Sequence, residues 1–395
     1  MKPSRAWPHD FLVATLATLP FSIALGESML ALCLAAALIA VIAQRRRPVV
    51  PPVAYYLLAF VLVACVTAAI GLDPRASRKD LLPLLWLFVL PVAATWCVWP
   101  GRTRQALQGF AVGTGLLAGQ ILLVNPVKGW QEMQHSPARP GFLRALIHQG
   151  SMTDGQMLML GVLVVLGLLW QTPRRARAWW GWLALLALEL LALLVNFKRG
   201  SWFCACILCA AMLWVGRRRK WLLALGVAVL IVALLPPVRA RLDELREEFD
   251  LSGGGRLLMW TRIAPSLIRQ HPFGVGYGAL SHELMKQVAP QVEPGRSHLH
   301  SNYFQILVET GWAGLAVYLL WMGKALRDGL LLRRRTREEP DGRGLVAAVL
   351  LLMLVGLLVN GLVEYNFGDS ELLILYGIIM GLTAGALRQV RRAAG

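Results

Sequence analysis

The sequence predicts an all-α integral membrane protein of about twelve transmembrane helices, with one long outside loop between spans 9 and 10. Three observations carry this reading. Of 395 residues, 57% are hydrophobic and only 16% are charged, and the mean hydropathy is +0.56. A soluble domain is about half apolar and about a quarter charged. The apolar residues fall in blocks close to the roughly 20 residues that a helix needs to cross a bilayer. The arginines gather between the blocks in short clusters, as inside loops of membrane proteins do. A single polytopic domain, residues 1–395, follows, rather than several soluble units.

In chain order the apolar blocks lie near 11–26, 28–43, 53–70, 81–99, 106–125, 154–170, 179–196, 201–215, 221–236, 301–323, 344–362 and 371–387. The first runs into the second with no convincing cleavage site, so it reads as a span and not as a signal peptide. Pro83 and Pro91 predict a kink in the fourth span. With the N-terminus inside, the inside segments are Lys2 with Arg5, Arg45–Arg47, Arg102 with Arg104, Arg174–Arg177, Arg217–Lys220, Lys324–Arg343 and Arg388–Arg392. These hold most of the 40 lysines and arginines, which places both termini inside.

The outside segments are then residues 71–80, read as a short turn, and 126–152, read as a moderate loop. Asn196–Ser201 is a tight turn, 237–300 is the long loop, and 363–370 closes the set. Loops beyond about 15 residues are usually functional or disordered. The long loop reads as ordered. Val238–Asp250 interleaves charges with Leu242, Leu245 and Phe249 at helical spacing. Gly253–Gly255 ends that helix, Arg256–Gln270 reads as a second, and Pro272 stops it.

The net charge of +18 is accounted for by the inside clusters, with some excess to attract anionic membrane lipids, so no nucleic-acid partner is expected. All six cysteines lie in apolar stretches. Cys206 and Cys209 form a C-x-x-C inside a span, where cysteine packs as a small hydrophobe, and no disulfide framework is expected.

Candidate chemistry gathers at the outside face. Lys198 and Arg199 sit where the positive-inside bias should deplete cations; headgroup anchoring is the plain alternative. Arg256 follows three glycines, at the start of a helix whose N–H groups attract anions. Arginine forks match phosphate oxygens, so two or three of them from separate loops would suit a pyrophosphate. His298 and His300 lack the i, i+4 spacing and acidic partner of helical metal sites, and no metal is expected. A neutral imidazole at the mouth of a span suits a general base. Glu309 lies roughly 13 Å along the next helix, and pairing with an arginine or a polar neighbour in the bundle is the expected role. Glu364 and Asp369, in the last outside turn, could orient an arginine or an acceptor sugar, but solvated loop charges are the plainer reading. No P-loop, nucleophile elbow or D-x-D motif is present, so activation must arrive with the substrate.

Three pieces stand in a telling order. The first is K-R-G-S, Lys198–Ser201. The second is G-R-L-x-x-W followed by H-P-F-G-V-G-Y-G, with Arg256, Trp260, His271, Pro272, Gly274, Gly276 and Gly278. The third is H-S-N followed by E-T-G-x-x-G-L, with His300, Ser301, Asn302, Glu309, Gly311 and Gly314. Over about 199–315 the chain resembles the O-antigen ligase family, within the superfamily of O-antigen ligases, polymerases and protein O-oligosaccharyltransferases. The resemblance implies a GT-C-type, inverting glycosyltransferase that needs no metal or cofactor. Its donor would be an O-antigen glycan on undecaprenyl diphosphate, its acceptor the lipid A–core oligosaccharide. It would sit in the bacterial inner membrane with cytoplasmic termini and a periplasmic active site in the 237–300 loop. Carried over, Arg199 and Arg256 would bind the diphosphate, with Lys198, Arg262 and Arg296 as further candidates for that pocket. His300 would deprotonate or orient the acceptor hydroxyl, and His298 would support it or exchange roles with it. A polymerase of the same superfamily uses the same chemistry on another acceptor. A lipid-linked glycan transporter predicts polar residues spread through the bundle, whereas here they gather at one face.

Overall fold

The computed structural model describes residues 7–45, 47–135, 141–245, 255–295, 297–339 and 342–394, and every regular element among them is helical. The elements are α1 (Trp7–Thr18), α2 (Ile23–Gln44), α3 (Val53–Ile70), α4 (Pro74–Leu81), a 3-10 stretch (Leu82–Phe88), α5 (Val89–Trp96), α6 (Gly101–His135), α7 (Phe142–Gln149), α8 (Met152–Gln171), α9 (Arg177–Val195) and α10 (Arg199–Val215). They continue with α11 (Trp221–Leu234), α12 (Pro236–Asp243), α13 (Arg256–Leu258), a π turn (Met259–Ile263), α14 (Ala264–Gln270), α15 (His282–Val288), α16 (Asn302–Thr336), α17 (Arg343–Asn360) and α18 (Ser370–Ala394).

Nine helices among the described residues are long and apolar enough to cross a membrane, counting α4 to α5 as one, and the bent pair α11–α12 makes a tenth. The expected twelve is not reproduced as a count of full-length spans, and the shortfall has local causes. The first apolar block splits at Pro20, leaving α1 with 12 residues, roughly 18 Å and too short for a hydrocarbon core of about 30 Å. α10 stops at 17 residues. α11 and α12 meet at 82°, because Pro236 and Pro237 hold the preceding Leu235 in an extended conformation.

The fourth span behaves as its prolines predict: between Pro83 and Pro91 it tightens into the 3-10 stretch. Two outside segments differ from expectation. Residues 71–80 are largely helical, since Asp73 caps α4 through the amides of Arg75 and Ala76 and Pro74 opens it. Much of the 126–152 loop is also helix: α6 runs on through Pro126 to His135, and α7 packs against it with Ala145 and Leu146 buried. The amphipathic helix expected over Val238–Asp250 appears as α12 up to Asp243; residues 246–250 lie outside the described residues. Arg256–Gln270 is helical throughout, with the π turn just before Pro265, whose missing N–H loosens the regular ladder there.

α18 is the axis of the bundle, with 94% of its apolar window buried. Gly377, Gly381 and Gly385 form a small-residue stripe against Val89, Leu90 and Ala94, so α18 and α5 approach backbone to backbone. α8, α16 and α17 complete the core, and α9 lies at the periphery. The segment between α12 and α16 has a core of its own, including Leu258, Met259, Ile263, Leu267, Met285 and Leu299. It is tied to the main bundle through Tyr277, which meets Phe60 of α3 edge-on. An aromatic cluster of Phe60, Tyr318, Trp321, Phe367 and Tyr376 continues from that contact into the bundle.

Candidate functional site

The site is assembled where α16 breaks. Gly311 adopts φ +68, which interrupts the helix and frees the carbonyls of Val308 and Glu309 from their usual partners four residues on. Those carbonyls accept from the amides of Val275 and Gly276 at 2.9 and 3.0 Å. On its other side the same strand-like run holds α3's end, through Leu72 N–H to the Val275 carbonyl at 2.7 Å. Gly274 sits at φ +93, and a Cβ there would strike the Glu309 carbonyl. The H-P-F-G-V-G-Y-G and E-T-G motifs are therefore two halves of one joint, which seats the segment between α12 and α16 on the bundle.

Leu299 lies between the two histidines, and both of its backbone groups are held. Its N–H donates to Gln305 Oε1 at 2.8 Å, while Gln305 Nε2 donates to Glu309 Oε1 at 2.8 Å. Its carbonyl accepts from the Trp260 indole N–H at 2.7 Å, and that indole is stacked on Phe304. Clamping Leu299 fixes the neighbours. His300 takes the left-handed conformation at φ +48 and is buried, and the His298 and His300 rings lie 4.3 Å apart between centroids.

Glu364 joins the pieces. Its Oε1 accepts from Arg256 Nη2 at 2.7 Å, and its Oε2 lies 3.4 Å from His300 Nδ1. The side chain is only 7% exposed. The K-R-G-S turn closes on the same carboxylate: a Cβ on Gly200 would lie 3.7 Å from Glu364 Oε1. The turn bearing Glu364 is knitted to the H-S-N motif by Asn302, whose Oδ1 accepts from the amides of Asn366 and Phe367 and whose N–H donates to the Gly361 carbonyl. Asn302 Nδ2 donates to Asn366 Oδ1 at 2.7 Å. Burial alone would push the Glu364 carboxyl up; the His300 hydrogen bond and the Arg256 charge outweigh it and hold the group below its ordinary range. It is thus a carboxylate at neutral pH. Lys198 is pushed the other way, downward, by burial and by the nearby Arg241 guanidinium.

The sequence-predicted residues are distributed as follows. Arg256, His298 and His300 gather around Glu364. Arg199, buried at the start of α10, donates to the Arg241 carbonyl at 3.0 Å beside that cluster, and Lys198 precedes it. Arg262 is exposed on the π turn, and no hydrogen bond among the described residues joins it to the cluster. Arg296 lies outside the described residues. Glu309 pairs with Gln305 inside the bundle rather than with an arginine. Glu364 corrects the expectation of a solvated loop charge, because the short turn folds inward over the site. Asp369 is only partly exposed and accepts from Thr153 at 2.8 Å. Gln305 and Asn366 carried no signal of their own beyond being polar beside apolar spans. Among the described residues no group of three or more His, Cys, Asp and Glu side chains is placed to hold a metal ion. The cysteines are all free.

The arrangement is a buried arginine, histidine and carboxylate cluster at one end of a helical membrane bundle. Such a cluster places groups able to bind an anion and to accept a proton side by side. Residues 182–319 match the family model described as O-antigen ligase, so that segment of the chain is similar to that family. The matched segment runs from α9 to α16 and takes in all three motifs; Glu364 lies beyond it. No curated protein matches the chain.

Proposed function

We propose that the chain is an O-antigen ligase, which transfers a glycan from undecaprenyl diphosphate to a hydroxyl of the lipid A–core oligosaccharide at the periplasmic face of the inner membrane. The observation that carries the reading is Glu364, on which Arg256, His300 and the Lys198–Ser201 turn converge. A diphosphate leaving group needs neutralisation, and Arg256, Arg199 and Lys198 supply cationic donors for it from separate elements. A hydroxyl is a weak nucleophile, and a base within reach can contribute about 10²–10⁴-fold.

The steps balance as follows. The acceptor oxygen attacks the anomeric carbon from the face opposite the diphosphate. Its proton passes to Nε2 of His300, since the tautomer that donates from Nδ1 to Glu364 leaves Nε2 as the acceptor. The glycosidic C–O bond forms with inversion as the bond to the diphosphate oxygen breaks, and the released charge rests on the arginines. Glu364 stabilises the imidazolium that results. It also holds Arg256 until the diphosphate competes for that guanidinium.

The test is the surface glycolipid profile of a strain lacking the protein, complemented with wild type or His300→Ala. Polymer left on undecaprenyl diphosphate beside bare lipid A–core, rescued by wild type and not by the variant, is the expected result. Accumulation of core bearing a single repeat unit would instead assign the chain to the polymerases.

A further inference from the structure

We propose a second anion site, at the end of the bundle opposite His300, which takes the phosphate of an anionic phospholipid headgroup. A cavity of about 480 Å³ lies there between α16, α18 and the 48–52 stretch that leads into α3. Arg388, on its wall, is roughly 27 Å along α18 from Ser370, close to the hydrocarbon thickness of about 30 Å, so the cavity lies at headgroup depth on the other surface.

Its charge is uncompensated. Lys324 is paired with the buried Asp328. Arg388, Arg391 and Arg392 also line the cavity, and no hydrogen bond or ion pair among the described residues engages them. At i, i+3 and i+4 they share one face of α18, where like charges repel. A helix C-terminus favours basic residues, and inside loops collect them. Neither effect requires three guanidiniums to face one cavity. The walls are held in place as well: Val49 N–H donates to Thr95 Oγ1 at 2.8 Å, and Gln389 Oε1 accepts from Trp99 N–H at 3.0 Å. Arginine forks match phosphate oxygens. Val50, on the cavity wall and exposed, and the apolar Val49, Ala384 and Leu387 that line it give acyl chains a surface to follow, which favours a lipid over a free ion.

The test uses the purified full-length chain in detergent, with bound lipid counted by native mass spectrometry. Phosphatidylglycerol, phosphatidylcholine and inorganic phosphate are titrated separately. Saturable retention of phosphatidylglycerol in preference to phosphatidylcholine is expected. The combined variant R388Q/R391Q/R392Q should weaken it by on the order of a hundredfold, at about one basic residue's attraction each. Val50→Trp, which fills the cavity and leaves every charge in place, should weaken it too. Equal retention of both lipids, or indifference to either variant, overturns the site. Binding of inorganic phosphate at these arginines without retention of phosphatidylglycerol overturns the lipid as its occupant.

Discussion

Glu364 divides its two oxygens between Arg256 and His300, so one carboxylate holds both side chains. Replacing it with glutamine leaves Arg256 half-buried beside a neutral amide. Losing one partner of a buried pair costs about 3–5 kcal/mol, and a clear fall in melting temperature at pH 7 is expected for Glu364→Gln. The sign with pH follows from the depressed carboxyl. Its stabilisation is present above the ordinary carboxylate value of 4.5 and is lost as pH falls through the lower folded value. The gap between wild type and variant should therefore hold from pH 7 to pH 5 and narrow below 4.5, read from melting curves at each pH. His300→Ala should cut transfer by about 10²–10⁴-fold while donor retention persists. Lys198 and Arg199 were legible because cations in a segment read as outside run against the topology bias, and Arg256 because it follows three glycines at a helix start. Glu364 was not, because a carboxylate in a short polar turn reads the same whether it faces water or folds over a site.

Two elements orient the histidines without bearing chemistry: the Trp260 and Gln305 clamp on Leu299, and the joint of the glycine run with Gly311. Trp260→Phe keeps the ring on Phe304 and removes only the N–H donated to Leu299. The lost hydrogen bond is worth about 1 kcal/mol. A fall of roughly fivefold in kcat with an unchanged donor KM is expected, since 1.4 kcal/mol would be about tenfold. A merely structural role would lower the amount of folded protein and leave the turnover of the folded fraction intact. Gly311→Ala puts a Cβ against the Pro272 carbonyl in a left-handed conformation. It should loosen the segment between α12 and α16, and limited proteolysis should then cut within 255–300 in the variant faster than in wild type. The glycine-rich motif was visible in the sequence, and so was a short helix over Arg256–Gln270. The joint itself was not, because the break at Gly311 falls inside a continuous apolar span and nothing local marks which loop will use its freed carbonyls.

At the scale of the molecule, an all-helical membrane bundle followed from block lengths and charge clusters, and the positions of the blocks agree with the helices. Their lengths do not all agree. Pro20 and the Pro236–Pro237 pair divide or bend apolar runs that hydropathy alone counts as spans, and α6 and α16 run on as 35-residue helices past the ends of theirs. Polar helix ends look like loops to a hydropathy count. The topology makes its own prediction: a phosphatase reporter inserted at α15 should be active outside the cell membrane, and one fused after α18 should be inactive, with the reverse pattern contradicting the orientation. The most direct test of the central claim is a reconstituted transfer assay with undecaprenyl diphosphate-linked glycan and purified lipid A–core. Wild type should convert core to the glycan-bearing form and release undecaprenyl diphosphate, and Glu364→Gln should retain donor yet turn over on the order of a hundredfold more slowly. No conversion by wild type, or a variant as fast as wild type, would contradict the account.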